Sequence, residues 1–196
     1  MSFPPDLILA STSPRRKALL EQIGVRHVVC PVAIDETPYS DEIARVYVQR
    51  MAAGKAMGVH IPELEHVPVL AADTAVILDG NILGKPRDYD EARTMLHALS
   101  GCRHQVMTAI MLRTQDGRHQ ALSCTEITFN RLATKEIEAY CRTDEPYDKA
   151  GGYGIQGMGA AFVSSISGSY SGVVGLPLFE TAQLLTQAGV RWGLSA

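Results

Sequence analysis

A carboxylate interrupts an apolar run: Asp73 sits inside Val69-Leu70-Ala71-Ala72-Asp73-Thr74-Ala75-Val76-Ile77-Leu78. An ionised carboxylate buried alone is costly, so Asp73 must be paired, hydrogen-bonded or placed at the mouth of a cleft. A free aspartate titrates near ~3.9 and is a weak base at neutral pH. Partial desolvation, or a metal that acidifies the attacking water, closes that gap. Two readings stand: a strand-end aspartate bonded to local backbone, or a general base or metal ligand at a sheet edge.

The second chemical signal is Ser11-Thr12-Ser13-Pro14-Arg15-Arg16-Lys17, directly after Leu7-Ile8-Leu9-Ala10. Ser13 is a good N-cap and Pro14 suits the first helical position. The first turn then carries Arg15, Arg16 and Lys17. Each cation there opposes the helix dipole by roughly 0.3–1 kcal/mol. A bound phosphate resolves the conflict, because free N–H groups, the dipole and two guanidinium forks all favour it. A solvated basic turn is the plainer alternative. Lys85, in Gly84-Lys85-Pro86, reads as a point-charge phosphate ligand or an ordinary loop lysine. Lys55 closes a helix, where a cation is welcome in any case. Asp35 and Glu36 precede a proline turn as solvated acids, or as oxygen ligands for a hard cation such as Mg²⁺.

The third signal is Asp148-Lys149-Ala150-Gly151-Gly152-Tyr153-Gly154-Ile155-Gln156-Gly157-Met158-Gly159. Gly152, Gly154 and Gly157 spell G-x-G-x-x-G. A dinucleotide fingerprint must follow a strand and open a helix. Here a loop precedes and a strand follows, which argues against a nicotinamide-dependent oxidoreductase. The glycines instead let backbone approach a planar or phosphorylated ligand closely. The Gln156 amide both donates and accepts, which suits the edge of uracil or thymine. No H-E-x-x-H, P-loop or G-x-S-x-G is present.

The elements that must position these groups alternate. Leu7–Ala10 and Val25–Val32 read as strands around a helix at 14–23, ended by Gly24. Ser40 reads as the cap of a helix through about Met57. Two apolar strand segments flank Asp73-Thr74, and Asp79-Gly80 is a hairpin signal returning through Ile82-Leu83. Asp88 and Glu91 form a capping box for a helix to Leu99. Strands at about 104–113 and 119–129 follow, then a short helix at 135–142, a loop at 144–159, a strand at Ala160–Ser165 and a last helix at Pro177–Ala188. This is an α/β chain with a mixed sheet, read as one domain over 1–196, bilobed about a cleft.

Bulk properties narrow the function. At 196 residues with net charge −3, the chain lacks the basic surface of a general nucleic-acid binder. No apolar stretch approaches a membrane span, and no signal peptide precedes the first strand. The four cysteines form no C-x-x-C, so reduced thiols in a cytoplasm are expected.

Six ordered motifs together carry a resemblance: Leu-Ala-Ser-Thr-Ser-Pro-Arg-Arg (9–16), Ala-Ala-Asp-Thr (71–74), Gly-Lys-Pro (84–86), Leu-Ser-Gly (99–101), Asp-Lys-Ala-Gly-Gly-Tyr-Gly-Ile-Gln-Gly (148–157) and Val-Val-Gly-Leu-Pro (173–177). The chain resembles the Maf family from about residue 7 to 188. The resemblance implies a nucleoside triphosphate pyrophosphatase that cuts between the α- and β-phosphates with a divalent metal, Mg²⁺ or Mn²⁺. It implies an elongated mixed sheet flanked by helices, with two lobes around a central cleft, similar to inosine triphosphatases, and a homodimer. It assigns the base to Asp73, phosphate contacts to Ser11, Arg15, Arg16, Lys55 and Lys85, a metal partner to Glu36 beside Asp73, and base specificity to Arg15, Thr74 and Gln156. The Tyr-Gly-Ile-Gln-Gly form is similar to the dTTP/UTP branch. Gly152 departs from the alanine expected there, without removing a functional group. The family's association with septum formation implies an alternative, a nucleotide-binding regulator of cell division with little catalysis.

Overall fold

The computed structural model describes residues 5–194. Its elements, in chain order, are β1 (Leu7–Leu9), α1 (Pro14–Gln22), β2 (His27–Val29), α2 (Ala44–Met57), β3 (Val69–Leu78), β4 (Asn81–Leu83), α3 (Tyr89–Leu99), β5 (Arg103–Arg113), β6 (Arg118–Phe129), α4 (Thr134–Cys141), β7 (Val163–Ser167), α5 (Tyr170–Val174) and α6 (Leu178–Gln187). The strands form one mixed sheet in the order β2-β1-β3-β5-β6-β7, with β4 also on β3.

β3 is the element that makes a cleft. One edge pairs along its length with β5, from Val69↔Arg113 to Ile77↔Gln105. The other edge is shared. β1 runs parallel to its start (Ile8↔Val69, Leu9↔Leu70), and β4 runs antiparallel to its end (Val76↔Leu83 to Leu78↔Asn81). Among the described residues no strand pairs that edge between Leu70 and Val76, and Asp73 and Thr74 lie in this gap.

The sheet is covered on both faces, which is why β3 reads as continuously apolar. Leu70, Ala72 and Val76 join a core with Leu20, Leu96, Ile110, Phe129 and Leu185. Val69, Ala71, Ala75 and Ile77 join a second core with Val48, Ala52 and Ala56 of α2. Burying each large aliphatic or aromatic side chain here is worth about 1.5–3 kcal/mol. Because side chains alternate along a strand, Asp73 emerges beside α2 and Thr74 on the opposite face.

Local signals account for most boundaries. Ser13 Oγ accepts from Arg16 N over 3.4 Å, and Asp88 Oδ1 from Glu91 N over 2.9 Å. Asp79 and Gly80 both have positive φ (49° and 83°), as a two-residue hairpin requires. Three expectations are corrected, and one helix is added. β2 spans only three residues, and residues 30–43 form neither strand nor helix. Ser40 does not cap α2. That helix starts at Ala44 without a side-chain cap, and the Glu42 carboxylate holds the approach by accepting from Tyr39 N and from Arg50. The last strand begins at Val163, because Met158–Phe162 winds into a 3₁₀ turn. Finally, α5 arises in a Ser/Gly-rich stretch without helical periodicity, where Ser169 Oγ accepts from Gly172 N at 3.0 Å.

Candidate active site

The gap in β3 opens onto a cleft of about 630 Å³. Ser11, Arg15, Arg16, Glu36, Lys55, Asp73, Thr74, Lys85 and Gln156 all line it, whereas Lys17 and Asp35 do not; Asp35 is exposed and its Oδ1 accepts from Thr37 N at 2.9 Å.

At its centre, Lys55 Nζ donates to Asp73 Oδ1 and to Glu36 Oε1, each at 2.6 Å. Lys55 comes from the last turn of α2 and Asp73 from the adjoining face of β3. Glu36 belongs to the irregular 30–43 segment, and small residues on α2 seat it. Gly54 and Gly58, one turn apart, receive Ile34 and Val32. A Cβ on Gly58 would lie 2.5 Å from Val32 Cγ1, and one on Gly54 3.3 Å from Ile34 Cδ1. Tyr47 Oη then donates to the Glu36 carbonyl at 3.0 Å.

Burial raises the Asp73 pKa above its ordinary value, and the Lys55 and Arg16 charges only partly offset this. Glu36 shows the opposite balance. Burial pushes it upward, but Lys55, Lys85 and Arg16 together hold it below the usual carboxylate range. The two acids are therefore driven apart, one proton-seeking and one firmly ionised, a pattern that separates roles in acid–base sites. Burial, with the negative charges of Asp73 and Glu36, pushes Tyr47 up to about 12, so it remains a hydroxyl donor.

Thr74 opens the other wall. Thr108 Oγ1 gives its one proton to the Gly172 carbonyl at 2.7 Å. In the 2.9 Å Thr74–Thr108 contact Thr74 must therefore donate, which leaves its lone pairs to accept Arg16 Nη2 at 3.2 Å. Arg16 also donates through Nε to the Gly175 carbonyl (2.7 Å) and through Nη1 to Ser11 Oγ (3.3 Å). Its side chain is half-buried, and desolvation lowers its pKa against the opposing pull of Asp73. Arg16 is thus a clamp joining α1, β3 and the segment after α5.

The three cations of the first turn of α1 separate. Lys17 pairs with Glu21 at 3.6 Å and does not line the cleft, which corrects its place in the anion site. Arg15 Nη1 meets Asp148 Oδ2 at 2.9 Å, which ties the helix start to the glycine loop. Asp148 also pairs with Lys149.

The loop closes the far end of the cleft. Gly151 N donates to the Gly84 carbonyl (2.9 Å), which fixes the loop beside Lys85. At φ 73° Gly151 packs so closely on Val76 that a Cβ would lie 3.0 Å from it. Tyr153 Oη meets His104 Nε2 at 2.8 Å beneath the loop, among Phe129 and Phe162. Burial lowers the His104 pKa to about 4, so the imidazole is neutral there. Glu145 was not singled out from the sequence. Its signal was chemical: a glycine-rich loop exposes many N–H groups, and the loop needs an acceptor behind it.

A family model described as Maf-like protein matches residues 6–188. The chain belongs to the Maf family. Among Maf relatives, a protein of Methylobacillus flagellatus is 53% identical over 94% of this chain and 93% of its own length. One of Bordetella avium is 50% identical over 97% of this chain and 98% of its own. Both carry the name dTTP/UTP pyrophosphatase. Among solved structures, the Staphylococcus aureus Ham1 protein aligns with 63% of this Maf chain and 71% of its own, at a TM-score of 0.41 and 13% identity.

Proposed function

We propose that this chain hydrolyses dTTP and UTP between the α- and β-phosphates, releasing a nucleoside monophosphate and pyrophosphate. The observation that carries the reading is the convergence of Asp73, Glu36 and Lys55 at the open edge of β3, inside a cleft that also holds Arg15, Lys85 and Gln156. The names of relatives at about half identity across the whole chain support it.

Asp73 orients and deprotonates the water that attacks in line, its raised pKa bringing a carboxylate closer to neutral pH. Lys85 and Arg15 neutralise triphosphate oxygens. Arg15 meets Asp148 through Nη1, which leaves further guanidinium N–H groups for phosphate. Arg16 commits its guanidinium to Gly175, Ser11 and Thr74. It therefore contributes positive charge and holds both hydroxyls in place, while the second N–H of Nη1 and of Nη2 remains for a phosphate oxygen. Positive charge aimed at the transferring phosphoryl group is the largest available source of rate. Gln156 and Thr74 read the pyrimidine, with Arg15 beside them.

A divalent cation, Mg²⁺ or Mn²⁺, fits the donor set. Lys55 takes Oδ1 of Asp73 and Oε1 of Glu36, leaving the second oxygen of each carboxylate. Among the described residues no cluster of three or more His, Cys, Asp or Glu is placed to hold a metal. A hard ion of this kind is held by one or two carboxylates together with substrate phosphates. When bound, the ion would supply Lewis acidity at the phosphate oxygens.

The same reading includes a cytoplasmic location and a homodimer. The four cysteines are free, as a reducing compartment requires. No helix among the described residues is long and apolar enough to cross a membrane. The test of substrate class is pyrophosphate release across the common triphosphates, with and without Mg²⁺. Release from dTTP and UTP in preference to purine triphosphates is expected. Equal release from purines contradicts the reading of Gln156.

A further inference from the structure

Behind the base-reading loop, and outside the cleft wall, lies the carboxylate of Glu145. Oε1 accepts from Tyr140 Oη (2.8 Å) and Gly159 N (3.0 Å), and Oε2 accepts from Met158 N (2.9 Å). Tyr140 Oη in turn accepts from Gly154 N at 3.1 Å. The Glu145 carbonyl takes Lys149 Nζ at 2.8 Å. One carboxylate thus serves, directly or through Tyr140, both ends of the segment Gly154–Gly159, and Gln156 stands within it. The glycines are shaped to this acceptor. A Cβ on Gly157 would lie 2.3 Å from Glu145 Oε2, and one on Gly154 would lie 3.0 Å from Oε1.

We infer that Glu145 is a positioning residue for base selection: it draws the loop's N–H groups inward and so sets the Gln156 amide against the pyrimidine edge. The inference rests on the pyrophosphatase reading above. The chemistry explains why a glutamate is needed. An ionised carboxylate only accepts, and its partners are all donors. The amide of a glutamine would turn its NH₂ toward Met158 N–H in one orientation and toward Gly159 N–H in the other. Neither orientation satisfies the loop. The three bonds also hold Glu145 below the usual carboxylate range against the upward push of burial.

The experiment compares wild type, Glu145→Gln, Gly157→Ala, Gln156→Ala and the Glu145→Gln/Gln156→Ala double variant. It reads pyrophosphate-release kcat and KM with dTTP and dCTP, thermal unfolding, and amide exchange across 154–159 without nucleotide. Gly157→Ala disturbs the same contact from the loop side, so the test does not depend on one variant folding. Expected are a rise in KM for dTTP and a fall of about 10-fold in the dTTP-over-dCTP preference, with kcat changed far less. The double variant should be no worse than Gln156→Ala alone, and exchange should quicken across the loop. Folded Glu145→Gln and Gly157→Ala proteins that keep the wild-type preference overturn the proposal. So does a loss additive with Gln156→Ala, or a uniform fall in kcat. A wild type that releases no pyrophosphate from dTTP, with loop exchange still quickened by Glu145→Gln, overturns the pyrophosphatase reading and the selection role, and leaves only the loop's dependence on Glu145.

Discussion

Lys55 Nζ reaches Asp73 Oδ1 across 2.6 Å, and the two side chains are only 12% and 10% exposed. An ion pair this deeply buried is a weak source of stability, because the attraction is largely offset by desolvation. It is a strong source of tuning. The ammonium restrains a carboxylate that burial pushes toward protonation, and it joins that carboxylate to Glu36.

Lys55→Met removes this restraint. Activity that needs ionised Asp73 is lost as pH falls through its raised pKa, so the acid limb of kcat/KM stands above the ordinary 3.8. In Lys55→Met that limb moves to higher pH. Stability follows the same sign. The raised Asp73 pKa makes the folded state less stable as pH rises through it, and Lys55→Met enlarges that loss. Glu36, held low by Lys55 and other cations, contributes stability above its unfolded pKa that the variant gives up. Denaturant unfolding at pH 4.5 and pH 7.5 should therefore show the larger penalty at pH 7.5.

Gly58→Ala places a methyl 2.5 Å from Val32 Cγ1 and must shift the segment that carries Glu36. Overpacking of this kind costs about 1–3 kcal/mol. Pyrophosphate release should fall with it, and Gly58→Ala/Val32→Ala should recover part of both. Unfolding and turnover measured on both variants check this.

Arg16→Lys keeps the charge and loses the fork. One ammonium cannot serve the Gly175 carbonyl, Ser11 Oγ and Thr74 Oγ1 in their present geometry. The expected cost is about 2 kcal/mol, read in a thermal scan as a fall of about 4–8 °C in Tm. An unchanged Tm would show that the clamp is not needed.

Much of this site was legible in the chain. Asp73 stood out because a carboxylate in an apolar strand must have a partner. The Ser13-Pro14 entry and the Asp79-Gly80 hairpin were local signals that tertiary structure did not overrule. What was hidden depended on distance. The approach to α2 is set by Glu42 reaching Arg50, which outweighs the capping propensity of Ser40. The bonds of Arg16 to Thr74 and Gly175 were hidden because those partners lie far away in the chain. Lys17 shared a turn with Arg15 but pointed elsewhere, since adjacent helical residues face different directions. Glu145 was obscured because two of its three donors are backbone N–H groups more than ten residues away, and the glycine-rich loop signals only that some acceptor is needed, not which residue supplies it.

Asp73 is proposed as the base that activates water in dTTP/UTP hydrolysis. Its most direct test is pyrophosphate release from dTTP by wild type and Asp73→Asn with Mg²⁺ present, alongside calorimetric binding of a non-hydrolysable dTTP analogue. Turnover should fall ~10²–10⁴-fold in Asp73→Asn, with triphosphate binding largely retained. Near-normal turnover in Asp73→Asn would contradict it.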